Sequence, residues 1–314
     1  MALAVTAGDQ APAPSLGPLG IWSYHLDVQP MARAQHAVAE LDDLGFGALW
    51  IPEAVTREPF ANAALLLGAT ARLTVATGVA SLHARTAMTM NAGWQTVTEA
   101  FPGRFLLGLG VSHQATVDVA HQGQYGTKPY STMVDYLDTM DVGEYWGAPP
   151  PVAPQRVLAA LGPRMLRLAA ERGVGAHTYF VPVEHTAVAR EALGDALLAP
   201  ELTVVFETDP TVARQIAREF MSRFLGLPNY TNNLRRLGWG DDELSGGGSD
   251  RLVDAIVAWG SLDDIAARVQ AHLDAGADHV CVQVQNGDRR QLPVAEWREL
   301  ASIIPTLRAR PTAA

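Results

Sequence analysis

Cysteine and lysine are almost missing from this chain: Cys281 and Lys128 each stand alone among 314 residues. A single thiol forms no internal disulfide, and its place in the apolar run His279-Val-Cys-Val-Gln-Val reads as a small buried strand residue in a reducing compartment. The shortage of lysine leaves Lys+Arg at 23 against Asp+Glu at 33, a net charge of −10. Such a surface repels phosphate backbones and anionic lipid, which argues against nucleic acid and membrane and favours a small-molecule substrate. No apolar run approaches the roughly eighteen residues of a membrane span. The amino terminus, MALAVTAGDQAPAPS, has no cationic segment ahead of an apolar core, so it does not read as a signal peptide. A soluble, cytoplasmic protein with a flexible tail over residues 1–18 is expected. Walker-type loops, CxxC pairs and HxxxH patterns are also missing, and the nine histidines are scattered, so no metal site is expected.

What the chain does have is apolar residues, 48% of the total, enough for one large core over residues 19–314. They fall into short, nearly continuous runs at 20–23, 48–51, 73–77, 105–109, 156–160, 175–179, 202–206 and 280–284. Runs of this kind suit strands covered on both faces. Between them lie helical patterns, near 30–44, 59–71, 86–101, 163–172, 184–193, 210–225 and 251–259 among others, several opened by proline. Repeated βα alternation with right-handed crossovers predicts a parallel sheet closed into a (β/α)8 TIM barrel. Two segments break the rhythm, 114–154 after the fourth strand and 226–249 after the seventh. Both are predicted as insertions, the first lying over the barrel mouth, with His121, Tyr125, Pro129 and Tyr130 and a helix near 132–144.

The polar residues gather where strands stop, which is where α/β barrels place their ligands. In the central stretch from Thr74 to His113 these are Ser81, His83, Ser112 and His113. Glu53 follows the second strand. Leu161-Gly162 immediately precedes a helix with Pro163 at its first position, so free first-turn N–H groups and the helix dipole would favour a phosphate there. Trp22, His25, Thr178, Tyr179, Glu207 and Gln283 project near other strand ends and are candidates for a substrate pocket or for barrel packing. His113 titrates near neutrality in its ordinary state and suits either proton transfer or a hydrogen bond to a cofactor.

The runs TGVASLHAR and GRFLLGLGVSH, with AALGPRMLRLAAERGVGAHTYF and AGADHVCVQV further on, resemble the luciferase-like monooxygenase superfamily, in particular its coenzyme F420-dependent oxidoreductase branch. The resemblance extends over most of residues 19–305. It implies a bacterial luciferase-like barrel, F420 as cofactor with FMN as the alternative, and a homodimer paired through uncharged helices of the first third. It places a non-prolyl cis peptide at Gly78-Val79 behind the cofactor ring, Ser112 and His113 at the ring, and the cofactor phosphate at Leu161-Gly162. His113 and Glu53 would be the catalytic residues. Sugar-phosphate dehydrogenases of the family carry a basic histidine where this chain has Ala54, so reduction of an activated double bond is expected over alcohol oxidation. An FMN-dependent monooxygenase and a non-catalytic flavin-binding protein are the competing expectations.

Overall fold

The structure, a computed structural model, describes residues 16–114, 117–118 and 128–310. His121 and Tyr125 of the first insertion therefore lie outside the described residues.

Ten strands follow in chain order: β1 (Leu19–Trp22), β2 (Ala48–Ile51), β3 (Thr74–Thr77), β4 (Ala80–Ser81), β5 (Phe105–Gly110), β6 (Gln155–Ala159), β7 (Gly175–Thr178), β8 (Leu197–Val205), β9 (Val257–Trp259) and β10 (Val280–Val284). Eight of them pair in parallel as β1-β2-β3-β5-β6-β7-β8-β10, and β10 returns to β1 with Leu19 opposite Val280, so the barrel closes. The expected strand positions and the (β/α)8 architecture hold. Closure explains why these strands are apolar on both faces. Ile21, Leu49, Val75, Leu107, Leu158 and Val282 pack outward under the helices, whereas the alternating Trp22, Trp50, Ala76, Leu106, Val157, Ala199 and Cys281 fill the lumen.

Five helices, Pro59–Leu67, Pro129–Asp141, Pro163–Arg172, Pro210–Leu225 and Pro228–Arg236, open on proline, whose fixed φ suits a first helical position and whose missing N–H is not needed there. Others are started by side chains: Ser249 accepts from Leu252 N and Ser261 from Asp264 N. The second insertion folds into Pro228–Arg236 and Asp241–Leu244, and the first contributes Pro129–Asp141, three residues earlier than its sequence pattern suggested.

Three boundaries differ from expectation. β8 begins at Leu197 rather than 202, because Pro200 pairs with Thr178 where the ladder to β7 ends, and Glu201 starts the ladder to β10. The helix expected over 251–259 stops at Ile256, and Val257–Trp259 adds a short strand to the upper half of β8. Residues 16–18, expected in the tail, pack against the barrel: Leu16 is buried, Gly17 O accepts from His279 Nδ1, and Pro18 O accepts from Val280 N.

Between β3 and β5 the backbones lie unusually close. Thr77 Oγ1 donates to Gly108 O at 2.7 Å and accepts from Gly108 N at 2.8 Å, and a Cβ on Gly108 would come within 1.9 Å of the Thr77 carbonyl oxygen. Gly108→Ala is expected to lower stability by about 2–3 kcal/mol or more, read as the shift in a urea unfolding midpoint. A change within experimental error would show that the two strands separate freely.

Candidate active site

At the carboxyl ends of the strands lies a cavity of about 530 Å³. β1 supplies Trp22, and the turn after β2 supplies Pro52, Glu53 and Ala54. Gly78 and Val79 come from the bulge between β3 and β4, Ser112 and His113 from beyond β5, Leu161 and Gly162 from beyond β6, and Tyr179 from beyond β7. Nine residues predicted for the site thus meet at one opening.

One side of it has almost no side chains. Gly78 lies against Trp22, whose Nε1 donates to Gly78 O at 3.1 Å; a Cβ on Gly78 would stand 2.5 Å from that nitrogen. A Cβ on Gly110 would stand 2.6 Å from Val79 Cγ2 and 3.1 Å from Ala159 Cβ. Only glycine fits these places, and the result is a slot floored by the two glycines and the small side chains of Val79 and Ala159. The Gly78-Val79 peptide is cis, and Ser112 has a left-handed φ of 59°.

Glu53 faces this bulge with both oxygens engaged. Oε2 accepts from Ser81 N at 2.7 Å and from Arg85 Nη1 at 3.0 Å, and Oε1 accepts from Arg85 Nη2. Arg85 and Glu53 side chains are each 10% exposed, so the pair is shielded, and Tyr136 holds the Arg85 carbonyl at 2.9 Å.

The opposite side is polar and aromatic. Tyr179 donates to Gln283 Oε1 at 2.8 Å and Tyr24 to Gln285 Oε1 at 2.9 Å. His177 lies beneath Gly78, stacked on Trp50 with centroids 4.4 Å apart, and its Nδ1 bonds Ala199 O at 2.8 Å. Because a carbonyl only accepts, Nδ1 carries the proton; burial pushes this imidazole down to about 4, so it is neutral. Glu201, with no cation beside it, accepts from Thr203 and from Phe180 N, and burial pushes its carboxyl up to about 7.

From the second insertion, the helix Pro228–Arg236 brings Asn229, Tyr230, Asn232 and Arg236 to the cavity. Tyr230 OH lies 3.5 Å from His113 Nε2, and burial holds His113 below the usual imidazole range, against a raising hydrogen bond with Asn229. Arg236 Nη2 sits 3.5 Å from where a Gly162 Cβ would be, and His185 Nε2 donates to Leu161 O at 2.8 Å, fixing the turn into helix Pro163–Arg172.

Four of the predicted pocket residues do not line the cavity. His25 is buried under Tyr24, stacked at 4.3 Å. Thr178 is buried, because its neighbours in β7 take the lumen side. Gln283 supports Tyr179 from below, and Glu207 accepts from Asp209 N at the start of Pro210–Leu225. His177 had a sequence signal, since it precedes Tyr179 by two in an alternating strand. Tyr230 and Arg236 had none.

The family model for the luciferase-like monooxygenases matches residues 5–279. A Mycobacterium tuberculosis protein assigned by name to the coenzyme F420-dependent oxidoreductases is 29% identical over 168 residues, 53% of this chain and 45% of that protein, so the match spans less than half of its length. Among solved structures, an F420-dependent secondary alcohol dehydrogenase superposes with a TM-score of 0.73 at 13% identity, covering 92% of this chain and 98% of its own. The coenzyme F420-dependent tetrahydromethanopterin reductase of Methanopyrus kandleri gives 0.67 at 16% identity (95% and 100%). The oxygenating constituent of the Pseudomonas putida 3,6-diketocamphane monooxygenase, solved with FMN, gives 0.64 at 18% (93% and 98%). At these identities the structures share the fold.

The buried histidines make stability depend on pH. Burial pushes His25, His177 and His279 to about 4 and His272 to about 3, from an ordinary 6.5. A histidine whose pKa is depressed by folding contributes fully above 6.5, and its contribution is lost as pH falls toward 4. Glu201, raised from 4.5 to about 7, acts oppositely, contributing fully below 4.5 and losing that as pH rises through 7. The histidines outnumber it, so the melting temperature is expected to fall steadily from pH 7 to pH 5, with acid unfolding complete before pH 4. A flat profile in differential scanning fluorimetry over that range would contradict the buried, neutral assignment.

Proposed function

We propose, because the chain belongs to the luciferase-like monooxygenase family, that it is a coenzyme F420-dependent oxidoreductase working as a reductase of an activated C=C, C=N or C=O bond. The observation that carries this reading is the meeting, at one cavity, of the narrow slot at Gly78, Val79 and Gly110, the helix start at Leu161-Gly162, and His113. The donor set suits a flat ring carrying an anionic tail. Gly78, Val79 and Ala159 would back the ring, and Ser112 and His113 would border it. First-turn N–H groups of Pro163–Arg172 together with Arg236 would hold the tail phosphate. The names of the M. tuberculosis relative and of two structural neighbours support F420 over FMN.

When bound, the reduced deazaflavin supplies a hydride. The chain's own residues position the substrate, exclude water and manage the proton. Glu53 is an anchor in this scheme, because its oxygens already accept three N–H groups and hold Ser81 and Arg85 under the slot. The proton then falls to His113, which faces the cavity: burial lowers its pKa, so the ring rests neutral, takes a proton from solvent, and returns to neutral as the imidazolium gives that proton to the reduced substrate. Ala54, on the cavity rim, offers no group to take a substrate's hydroxyl proton, which favours reduction.

Fluorescence titration of the purified protein is expected to give micromolar or tighter F420 binding and weaker FMN binding. Tighter FMN binding would replace the cofactor assignment. With cyclic enones as acceptors, His113→Ala is expected to slow turnover by about 10²–10⁴-fold and to change the F420 binding free energy by no more than about 1 kcal/mol. The reverse pattern would make His113 a cofactor ligand.

We also place a homodimer interface on the outer faces of Pro59–Leu67 and Ala87–Ala100. The first helix has no charged residue, and Leu65 and Met88 are 47% and 70% exposed. Light scattering at micromolar concentration is expected to give twice the chain mass of 33.6 kDa; the monomer mass would refute it.

A further inference from the structure

We propose that the substrate is uncharged and largely apolar with one hydrogen-bond acceptor, and that the Tyr230 hydroxyl is the donor that binds this acceptor. The inference rests on the reductase reading above and specifies its substrate.

The cavity offers no cation to an anionic substrate. Among the described lining residues the only arginine or lysine is Arg236, and it stands beside Gly162, at the end assigned to the cofactor tail. Arg85 is taken by Glu53 and Glu58. The sequence outside the described residues contains no arginine or lysine. His113 and His177 are neutral through burial. A carboxylate or phosphate entering here would lose its hydration without gaining a cation to offset its charge.

The wall that runs from Trp22, beside Gly78, through Tyr179 to Tyr230 is aromatic. Trp22 and Tyr179 lie 5.5 Å apart by ring centroid, Tyr179 and Tyr230 6.2 Å, and Phe224 and Tyr230 5.5 Å. This surface packs against a flat or apolar body. Its hydroxyls are not equivalent. Tyr179 is committed to Gln283 at 2.8 Å, whereas Tyr230 reaches His113 Nε2 only at 3.5 Å, the outer limit for a hydrogen bond and well beyond the usual 2.7–2.8 Å for a hydroxyl. The tyrosine hydrogen is then left for His113 or for a ligand. Burial holds the phenol above its ordinary pKa, so it remains a donor throughout the physiological range. A carbonyl or imine acceptor at 2.8 Å would outcompete the long contact to His113, leaving that imidazole beside the reacting bond.

Acetophenone, benzoate and ethylbenzene titrated into the full-length protein, followed by tryptophan fluorescence and calorimetry, test this directly. Acetophenone is expected to saturate and to bind at least tenfold more tightly than benzoate. Tyr230→Phe is expected to weaken acetophenone about five- to tenfold while leaving ethylbenzene unchanged. Benzoate binding as tight as acetophenone, no saturation by acetophenone, an unaltered acetophenone affinity in Tyr230→Phe, or an equal loss for both uncharged probes would each overturn the proposal. F420 is titrated in the same preparation. Failure of F420 to bind, with the acetophenone pattern intact, would remove the cofactor reading and leave the Tyr230 assignment standing.

Discussion

The close approach of backbone to backbone at β3 and β5 is the constraint on which the mouth of this barrel depends. Thr77 and Gly108 exchange two short hydrogen bonds, and Gly78, Gly108 and Gly110 are places where a single added methyl would collide with Trp22, the Thr77 carbonyl or Val79. Removing side chains there does two things together. It lets the strands close without strain in the lumen, and it leaves a slot above them that side chains from the other strands border but do not fill. The same economy of side chains is absent across the barrel, where β1, β7, β8 and β10 turn tyrosine, glutamine, glutamate and tryptophan inward. The mouth is therefore divided into a flat apolar half and a hydrogen-bonding aromatic half.

Charge is arranged to keep that mouth nearly neutral. The acid closest to the slot, Glu53, is matched by Arg85, and the pair is shielded enough for the match to matter. The histidines within the barrel are neutral because water is excluded around them; His177 uses Nδ1 on Ala199 O, while His279 uses Nδ1 on Gly17 O and accepts from Trp50 Nε1 at Nε2. Among the described residues Glu201 has no cation partner and relies on Thr203 and the Phe180 N–H. A site built this way discriminates by hydrogen bonding and shape more than by ion pairing, apart from Arg236 at its far end.

Much of this was legible in the sequence because it is local. Apolar runs of strand length, prolines at helix starts and the glycines of the TGV and GLG segments each act over a few residues, and they located the eight barrel strands and the strand ends where Glu53, Gly78, Ser112, His113, Leu161 and Tyr179 converge. Local signals failed where pairing chose between options that the sequence leaves equal. Pro200 lies ahead of the apolar run 202–206 yet stands within β8 where the strand changes partner, and Val257–Trp259 continues a helical pattern yet finds a free edge on β8.

The sequence by itself determined the barrel, the side of it that carries polar residues and the family to which the chain belongs, since periodicity, glycine placement and motif order are properties of the chain read in line. Only the tertiary structure decided which side chains work together. Glu53 became an anchor when Arg85, 32 residues away, folded onto it, and His113 acquired Tyr230 from 117 residues away once the second insertion docked over the mouth. Glu207 and His25, at strand ends like the others, were turned aside by a helix cap and by stacking under Tyr24. The reason is physical: a hydrogen bond is decided within a few tenths of an ångström, and distances between residues this far apart in sequence are fixed only when the barrel closes and its insertions pack.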